Sequence, residues 1–416
     1  MKKKIVAMLT VAAVAVSLTA CGSKTEEAVQ NAEEAVEEAA EEIEEAAEEA
    51  TGEAAEEEAV EEVAEEAVEE AEATVAGETA SGLPVLTKDE IHVGAVFNTS
   101  SQEEGFAHAL EEGFKALEDA GYQVDYAWNI AESEDCETAI ESLIQQGCNV
   151  IYATSYGYGE YVANVAEKYP EVYFNHYSGS INADNLATFF PKNFQSEYLC
   201  GIVAGMRTES NEIGYLCSYA IPECVRMVDA FTLGAKSVNP DVTVNVKWTG
   251  SWFDPATEKT TATELVNSGC DVIIAYLDSL NAAIAAGEKG AWGFGYATSG
   301  IETLPDTYLT NPACDWATFF VNDVQRIVDG TWTGTNQWLG MADGLVSLGE
   351  IYNAAEGTED VVAEAEAGFL DGSLDIWAGE IKDNEGNVKV AEGETLDDAA
   401  LLSLDWFVEG VNGTVG

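Results

Sequence analysis

Val242-Thr243-Val244-Asn245-Val246-Lys247-Trp248-Thr249-Gly250-Ser251-Trp252-Phe253-Asp254-Pro255 carries the change of rhythm on which the fold turns. Apolar and polar residues alternate from Val242 to Trp248, the period of a strand. Ala256 to Ser268 then reads as a helix, with Asp254 suited to cap it and Pro255 to its first position. A strand that hands over to a helix is the unit of an open α/β sheet, where ligands bind at the carboxyl ends of strands. Trp252 offers a flat apolar face there and Asp254 an acceptor for N–H or O–H donors, a pair that suits a small, flat, polar ring. The same residues also read as a capped helix over a core tryptophan, so the surrounding chain has to decide.

Upstream, the rhythm repeats. Ile91 to Asn98, Val124 to Asn129, Val150 to Ser155 and Val172 to His176 read as strands, separated by helices over 103–120, 136–146 and 159–169. That βαβαβαβ order implies a doubly wound parallel sheet. Ala187 to Phe190 can add a strand, and Ser196 to Thr208 is a helix with small residues that suits a crossing to a second lobe. The pattern restarts with strands at 213–217, 242–248, 272–276 and 292–296 and helices at 222–237, 256–268 and 281–289. Two wound lobes, 85–208 and 209–311, facing across a cleft make a ligand clamp that closes by hinge motion. Trp316 to Asp329 reads as a return helix onto the first lobe, with residues 312–330 as a return segment and 331–416 packing on both lobes. Within the last part, 345–348 is a strand candidate, 361–369 a helix and 382–387 the turn of a polar hairpin.

The amino-terminal end differs. Lys2, Lys3 and Lys4 precede an apolar run, Ile5 to Leu18, too short to span a bilayer comfortably. Leu18-Thr19-Ala20-Cys21-Gly22 looks like a bacterial lipobox, so residues 1–20 are expected to be a lipoprotein signal and Cys21 the acylated residue that anchors the chain to the outer face of the cell membrane. Residues 21–84 follow as an acidic Glu/Ala-rich spacer with a weak heptad pattern. Its flanking positions are nearly all Glu, which disfavours a coiled coil. The whole chain has a formal net charge of −60, and 53 acidic against 13 basic residues remain after residue 87. Such a surface repels phosphate backbones, so nucleic acid is excluded as a partner.

Catalytic signatures are missing from the sequence. It has three histidines, no HExxH, no CxxC, no phosphate loop and no GxSxG. No enzyme activity, cofactor or metal is therefore expected. Apart from Cys21, seven cysteines remain, an odd number in mostly helix or strand positions, which suits small buried hydrophobes better than a disulfide framework. A Cys217–Cys224 bridge stays open as an alternative. The strand ends are instead rich in aromatic and polar groups. Phe97, Asn98, Tyr156, His176, Trp252, Asp254, Asp278, Tyr296 and, at the head of the return helix, Trp316 are the candidate ligand-binding residues. Together they suit stacking and hydrogen bonding to a heterocycle or sugar.

Several segments carry a resemblance. They include Ala153-Thr154-Ser155-Tyr156-Gly157-Tyr158, Phe174-Asn175-His176-Tyr177-Ser178-Gly179, Tyr198-Leu199-Cys200-Gly201 with Ala204-Gly205, Ile221-Pro222-Glu223-Cys224-Val225-Arg226, Trp252-Phe253-Asp254-Pro255 and Asp329-Gly330-Thr331-Trp332. With these, the chain from about Ile91 onward resembles the basic membrane protein (BMP) family of ABC-transporter substrate-binding lipoproteins, related to purine nucleoside receptors. The resemblance implies a type I periplasmic-binding fold, an ABC permease as partner, and a purine base or nucleoside as ligand. It implies that Trp252 stacks on the base and that Phe97 or Tyr156 covers the other face. Nucleoside-binding relatives carry an Asp-rich segment after the first strand and Gly-Val-Asp after the last. Phe97-Asn98 and Gly295-Tyr296-Ala297 stand in those places here, which moves the expectation toward a free base. A sugar or small signalling molecule is the alternative ligand on the same fold.

Overall fold

Strands buried on both faces need helices on both sides, and this chain supplies them in strict alternation. The computed structural model describes residues 82–100 and 105–415; the expected signal, Cys21 and the spacer to residue 81 lie outside the described residues. Residues 88–325 and 334–415 form one compact unit, and 82–87 with 326–333 belong to another. No helix among the described residues is long and apolar enough to cross a membrane.

The first lobe is built from β1 (His92–Val96), α1 (Gly105–Asp119), β2 (Gln123–Ala127), α2 (Glu134–Gln145), β3 (Val150–Ala153), α3 (Gly159–Lys168), β4 (Tyr173–Tyr177) and β5 (Leu186–Pro191). Every residue of β3, β4 and β5 is buried, the pattern of central parallel strands. α4 (Phe194–Arg207) leads to the second lobe: β6 (Glu212–Cys217), α5 (Pro222–Val238), β7 (Thr243–Trp248), α6 (Pro255–Asn267), β8 (Val272–Tyr276), α7 (Asn281–Gly287) and β9 (Trp292–Gly293). The tail comprises β10 (Pro312–Cys314), α8 (Trp316–Val328), β11 (Asn336–Leu339), β12 (Val346–Leu348), α9 (Thr358–Asp371), the hairpin β13 (Ile381–Lys382) and β14 (Val388–Val390), α10 (Asp398–Leu402) and β15 (Val411–Asn412).

Both main sheets are wholly parallel, in the orders β11-β5-β4-β3-β1-β2 and β15-β7-β6-β8-β9. The tail is therefore woven into the lobes: β11 closes one edge of the first sheet and β15 one edge of the second. The strand expected over 292–296 pairs in the sheet only at Trp292 and Gly293. Phe294 N still donates to Ile273 O of β8, while on the other edge Gly293 N donates to Thr307 O and Gly295 N to Thr310 O. The return helix α8 lies on the first lobe. Phe320 stacks on Phe114 of α1 with centroids 4.0 Å apart and meets Tyr152 of β3 edge-on at 5.1 Å. A second apolar cluster, including Ile140, Leu143, Ile151, Val162 and Phe174, fills the space under α2 and α3.

α4, which leads into the second lobe, touches α5 backbone to backbone. A Cβ on Gly201 of α4 would stand 2.0 Å from Phe231 O of α5, and one on Gly234 2.0 Å from Tyr198 O. Only residues without side chains permit this approach. Gly201→Ala therefore forces α4 and α5 apart, and we expect a loss of about 2 kcal/mol in urea unfolding, the scale of overpacking in a filled core.

Candidate ligand-binding cleft

A doubly wound sheet opens a crevice where its strand order reverses. Here the reversals fall at β1, between β2 and β3, and at β6, between β7 and β8. The loops leaving those strands meet around one cavity with about 440 Å³ of empty volume, its open mouth included. The first lobe contributes Asn98 after β1, Thr154, Ser155 and Tyr156 after β3, Tyr177 at the end of β4, and Phe106 from the first turn of α1. From the second come Trp252 after β7, Tyr276 at the end of β8 with Leu277 and Asp278, Tyr296 after β9, and Glu223 from the first turn of α5.

The walls are largely aromatic. Phe106 lies 4.7 Å from Tyr177, and Tyr296 lies 4.7 Å from Tyr276 and 6.5 Å from Phe106. Trp252 contacts Tyr276 at 6.4 Å and, at the mouth, Tyr219 at 5.8 Å. Tyr156 is 46% exposed, so it stands at the entrance rather than the floor.

Two carboxyl groups join the lobes. Glu223 accepts the Tyr276 hydroxyl at 2.9 Å on its own lobe and the Ser178 hydroxyl from the other. Asp278 reaches across to the start of α1, where its Oδ1 accepts the amides of Phe106 and of Ala107 (3.2 Å) and its Oδ2 the Thr99 hydroxyl at 3.3 Å. Gly105 N is capped in turn by Thr298 of the second lobe at 2.8 Å. A helix start is electropositive, so a carboxylate placed there holds the lobes together. Burial nevertheless dominates at both groups: the carboxyl of Asp278 is pushed up to about 7 and that of Glu223 is raised, against the hydrogen bonds that favour their ionised forms.

Of the residues expected from sequence, Asn98, Tyr156, Trp252, Asp278 and Tyr296 line this cavity. Four others lie elsewhere. Phe97 is 1% exposed, stacked on Trp128 at 4.2 Å in the core of the first lobe. His176 is buried with Nε2 2.8 Å from Ser155 O; burial lowers it to about 4, so it is a neutral imidazole that props the β3 loop from behind. Asp254 is occupied as the cap of α6, accepting Ala256 N, Thr257 N and the Thr257 hydroxyl, while Glu258 accepts Asp254 N in return. Trp316 lines an adjoining space of about 220 Å³ that shares Phe106 and Tyr296 with the main cavity. Phe97→Leu is accordingly expected to cost about 1 kcal/mol of stability, read from the denaturant midpoint, and to leave ligand affinity unchanged. The cysteines from Cys136 to Cys314 are free thiols, Cys217 and Cys224 included.

The candidate set leaves out Phe106, Thr154, Ser155, Tyr177, Glu223, Tyr276 and Leu277, although Thr154, Ser155, Tyr177 and Glu223 stand in the segments that carry the resemblance. The strand-end rule was enough to find Thr154, Ser155, Tyr177, Tyr276 and Leu277. Phe106 and Glu223 had no such signal, because they enter from helices.

Two parallel wound sheets that bring their carboxyl edges to one cleft define a type I periplasmic-binding fold. A solute-binding protein of an ABC transporter from Conexibacter woesei shares it, with a TM-score of 0.58 at 18% identity over 68% of this chain and 98% of that one. The family model for ABC transporter substrate-binding proteins of the PnrA-like type, Bmp, matches residues 91–367, and the chain belongs to that family. It is 33% identical to a purine-binding protein of Brucella abortus over 343 residues, 82% of this chain and 98% of the relative. It is also 33% identical to a Haloferax volcanii protein named as an ABC transporter glucose-binding protein, over 81% of this chain and 84% of that one.

Proposed function

We propose that this chain is a lipid-anchored extracytoplasmic receptor that captures a purine base or nucleoside by closing its two lobes and presents it to an ABC permease. The observation that carries the reading is the cavity wall. Phe106 and Tyr177 from one lobe and Trp252, Tyr276 and Tyr296 from the other surround a space of small-molecule size. A flat heterocycle buries both faces against such rings, while Asn98, Ser155, Glu223 and Asp278 offer hydrogen bonds to its edges. The purine-binding Brucella relative supports the same ligand class. Closure follows from the cross-cleft contacts of Asp278 and Glu223: a ligand that touches both lobes binds the closed form better and shifts the population toward it. The chain acts as a carrier and performs no chemistry on its ligand. Cys21, after Leu18-Thr19-Ala20, is the residue we assign to acylation, with the acidic stretch that follows as a spacer from the membrane.

A sugar is the second reading, favoured by the equal identity to the relative named for glucose. A thermal-shift series with adenine, hypoxanthine, their nucleosides, glucose and xylose separates the two. Ligand at ~100 times its dissociation constant adds about 2.7 kcal/mol, a shift of several degrees. Purines are expected to raise the melting temperature and sugars to leave it unchanged. A response confined to sugars would reject the purine and keep the receptor.

A further inference from the structure

Three side chains of metal-ligating type meet in the first lobe, toward the amino ends of its strands and away from the cleft. His92 opens β1, Asp125 is the third residue of β2, and Cys148 stands two residues before β3. Their separation in sequence matches no metal motif, which is why composition and spacing led to the expectation of no metal. The parallel register brings them together. Asp125 pairs with Gly94, two residues along from His92, so His92 and Asp125 share a face of the sheet. Gly94 puts no side chain between them. A Cβ there would stand 2.9 Å from Ile151 Cδ1, 3.1 Å from Leu143 Cδ1 and 3.3 Å from Cys148 Cβ, so the cysteine reaches the same space alongside two apolar side chains.

The candidate ligand atoms are close. His92 Nε2 lies 3.0 Å from Asp125 Oδ2, Cys148 Sγ lies 3.9 Å from the same oxygen, and all three atoms fall within 4.8 Å of one another. Ligand atoms on one tetrahedral zinc ion stand about 3.3–3.8 Å apart, given bonds of about 2.0–2.3 Å. Despite its short approach to Asp125, His92 Nε2 is buried without a hydrogen-bond partner, so the oxygen lies off the nitrogen's bonding direction. At 3.0 Å the two groups make an ion contact closer than two ligands of one ion, so a metal entering between them would part them by a few tenths of an ångström.

The surrounding backbone holds the group in place. Asn149 clamps the His92 peptide from both sides, accepting His92 N at 3.0 Å through its side chain and donating its own N–H to His92 O at 2.9 Å, while its amide also binds Glu90 O at 2.8 Å. One side of the cluster faces solvent through Asp125, whose side chain is 43% exposed, leaving room for a water or an exogenous fourth ligand.

We propose that His92 Nε2, a carboxylate oxygen of Asp125 and Cys148 Sγ form a binding site for a zinc-class divalent metal ion, separate from the ligand cleft. Imidazole, thiolate and carboxylate together favour zinc or cobalt over the hard cations magnesium and calcium. In the metal-free chain the Cys148 thiol keeps its proton and donates weakly to Val93 O at 3.6 Å. Binding forms the metal–sulfur bond and releases that proton to solvent, so metal affinity rises with pH. The ion would tie β1, β2 and the entry to β3 into one unit.

The test uses the full chain, stripped by chelator and titrated with cobalt(II) and zinc(II). One equivalent of cobalt is expected to give a thiolate-to-metal charge-transfer absorption, and one zinc per chain is expected by mass spectrometry, with no uptake of magnesium. Cys148→Ser should abolish the absorption and weaken zinc binding by about 100-fold or more, beyond the 10–100-fold that outer-shell partners contribute. Asp125→Asn, at a half-exposed position that tolerates change, should weaken it as well, with circular dichroism and ligand affinity unaltered. Absence of the absorption in the unmodified chain, its persistence in Cys148→Ser, or zinc uptake indifferent to both variants would overturn the site.

Discussion

Trp252→Ala is expected to weaken purine affinity by about 100-fold. Trp252 is the largest flat surface that the second lobe presents to the cavity, and Asp278 N anchors its loop by donating to Trp252 O at 3.0 Å. Stacking of a base on an aromatic side chain contributes about 1–3 kcal/mol, and 1.4 kcal/mol is tenfold in affinity. The upper part of that range applies because the opposite wall, Phe106 and Tyr177, is aromatic too, so the alanine leaves one face of the ring against water or a void. Stability should change little, since Trp252 is only partly buried, Tyr219 beside it is exposed, and Tyr276 also packs against Tyr296. Titration calorimetry of both proteins with the same purine reads the effect. An unchanged dissociation constant would place the base elsewhere.

The second large effect is a stability that rises as the solution becomes mildly acidic. Among the described residues seven carboxyl groups are buried, and burial shifts four of them upward: Glu197, Glu223, Asp229 and Asp278. Burial disfavours their charged forms, raising Glu197 to about 8 and Asp278 to about 7, with Glu223 and Asp229 also shifted upward. In the unfolded chain such groups titrate near 4. Between those limits the folded state binds more protons than the unfolded one, so stability falls as pH rises. The contribution is fully present below about pH 4 and is lost progressively up to about pH 7 for Asp278 and pH 8 for Glu197. A carboxyl raised from about 4 to about 7 corresponds to about 4 kcal/mol. Scanning calorimetry of the ligand-free chain at constant ionic strength should therefore show a melting temperature at least about 5 °C higher at pH 5 than at pH 8. Asp278→Asn and Glu197→Gln should each flatten the profile. A melting temperature that is level or falls on acidification would contradict this assignment.

The lobes were legible because each apolar strand is followed by a helix with one apolar stripe, and because that sequence of elements restarts after residue 208. Strand-end reasoning then located Asn98, Tyr156, Trp252, Asp278 and Tyr296 on one cavity. Its misplacements have local causes. Side chains alternate along an extended chain, so Phe97 enters the core while Asn98, next to it, faces the cleft. Asp254 lies two residues from Trp252, but the open amides of α6 claim its carboxylate. The edge strands β11 and β15 were invisible because Asn336-Gln337-Trp338-Leu339 and Val411-Asn412 are too short and too polar to carry a period. Phe106 and Glu223 depend on how two helix starts are set against the cleft, which only the assembled lobes determine.

The most direct test is a crystal structure of the chain grown with the purine that shifts its melting temperature most. The ring should lie between Trp252 and Phe106, its edges within hydrogen-bonding distance of groups among Asn98, Ser155, Glu223 and Asp278, with both lobes in contact with it. A purine bound outside this cavity, or a cleft that accepts a sugar while excluding purines, would contradict the account.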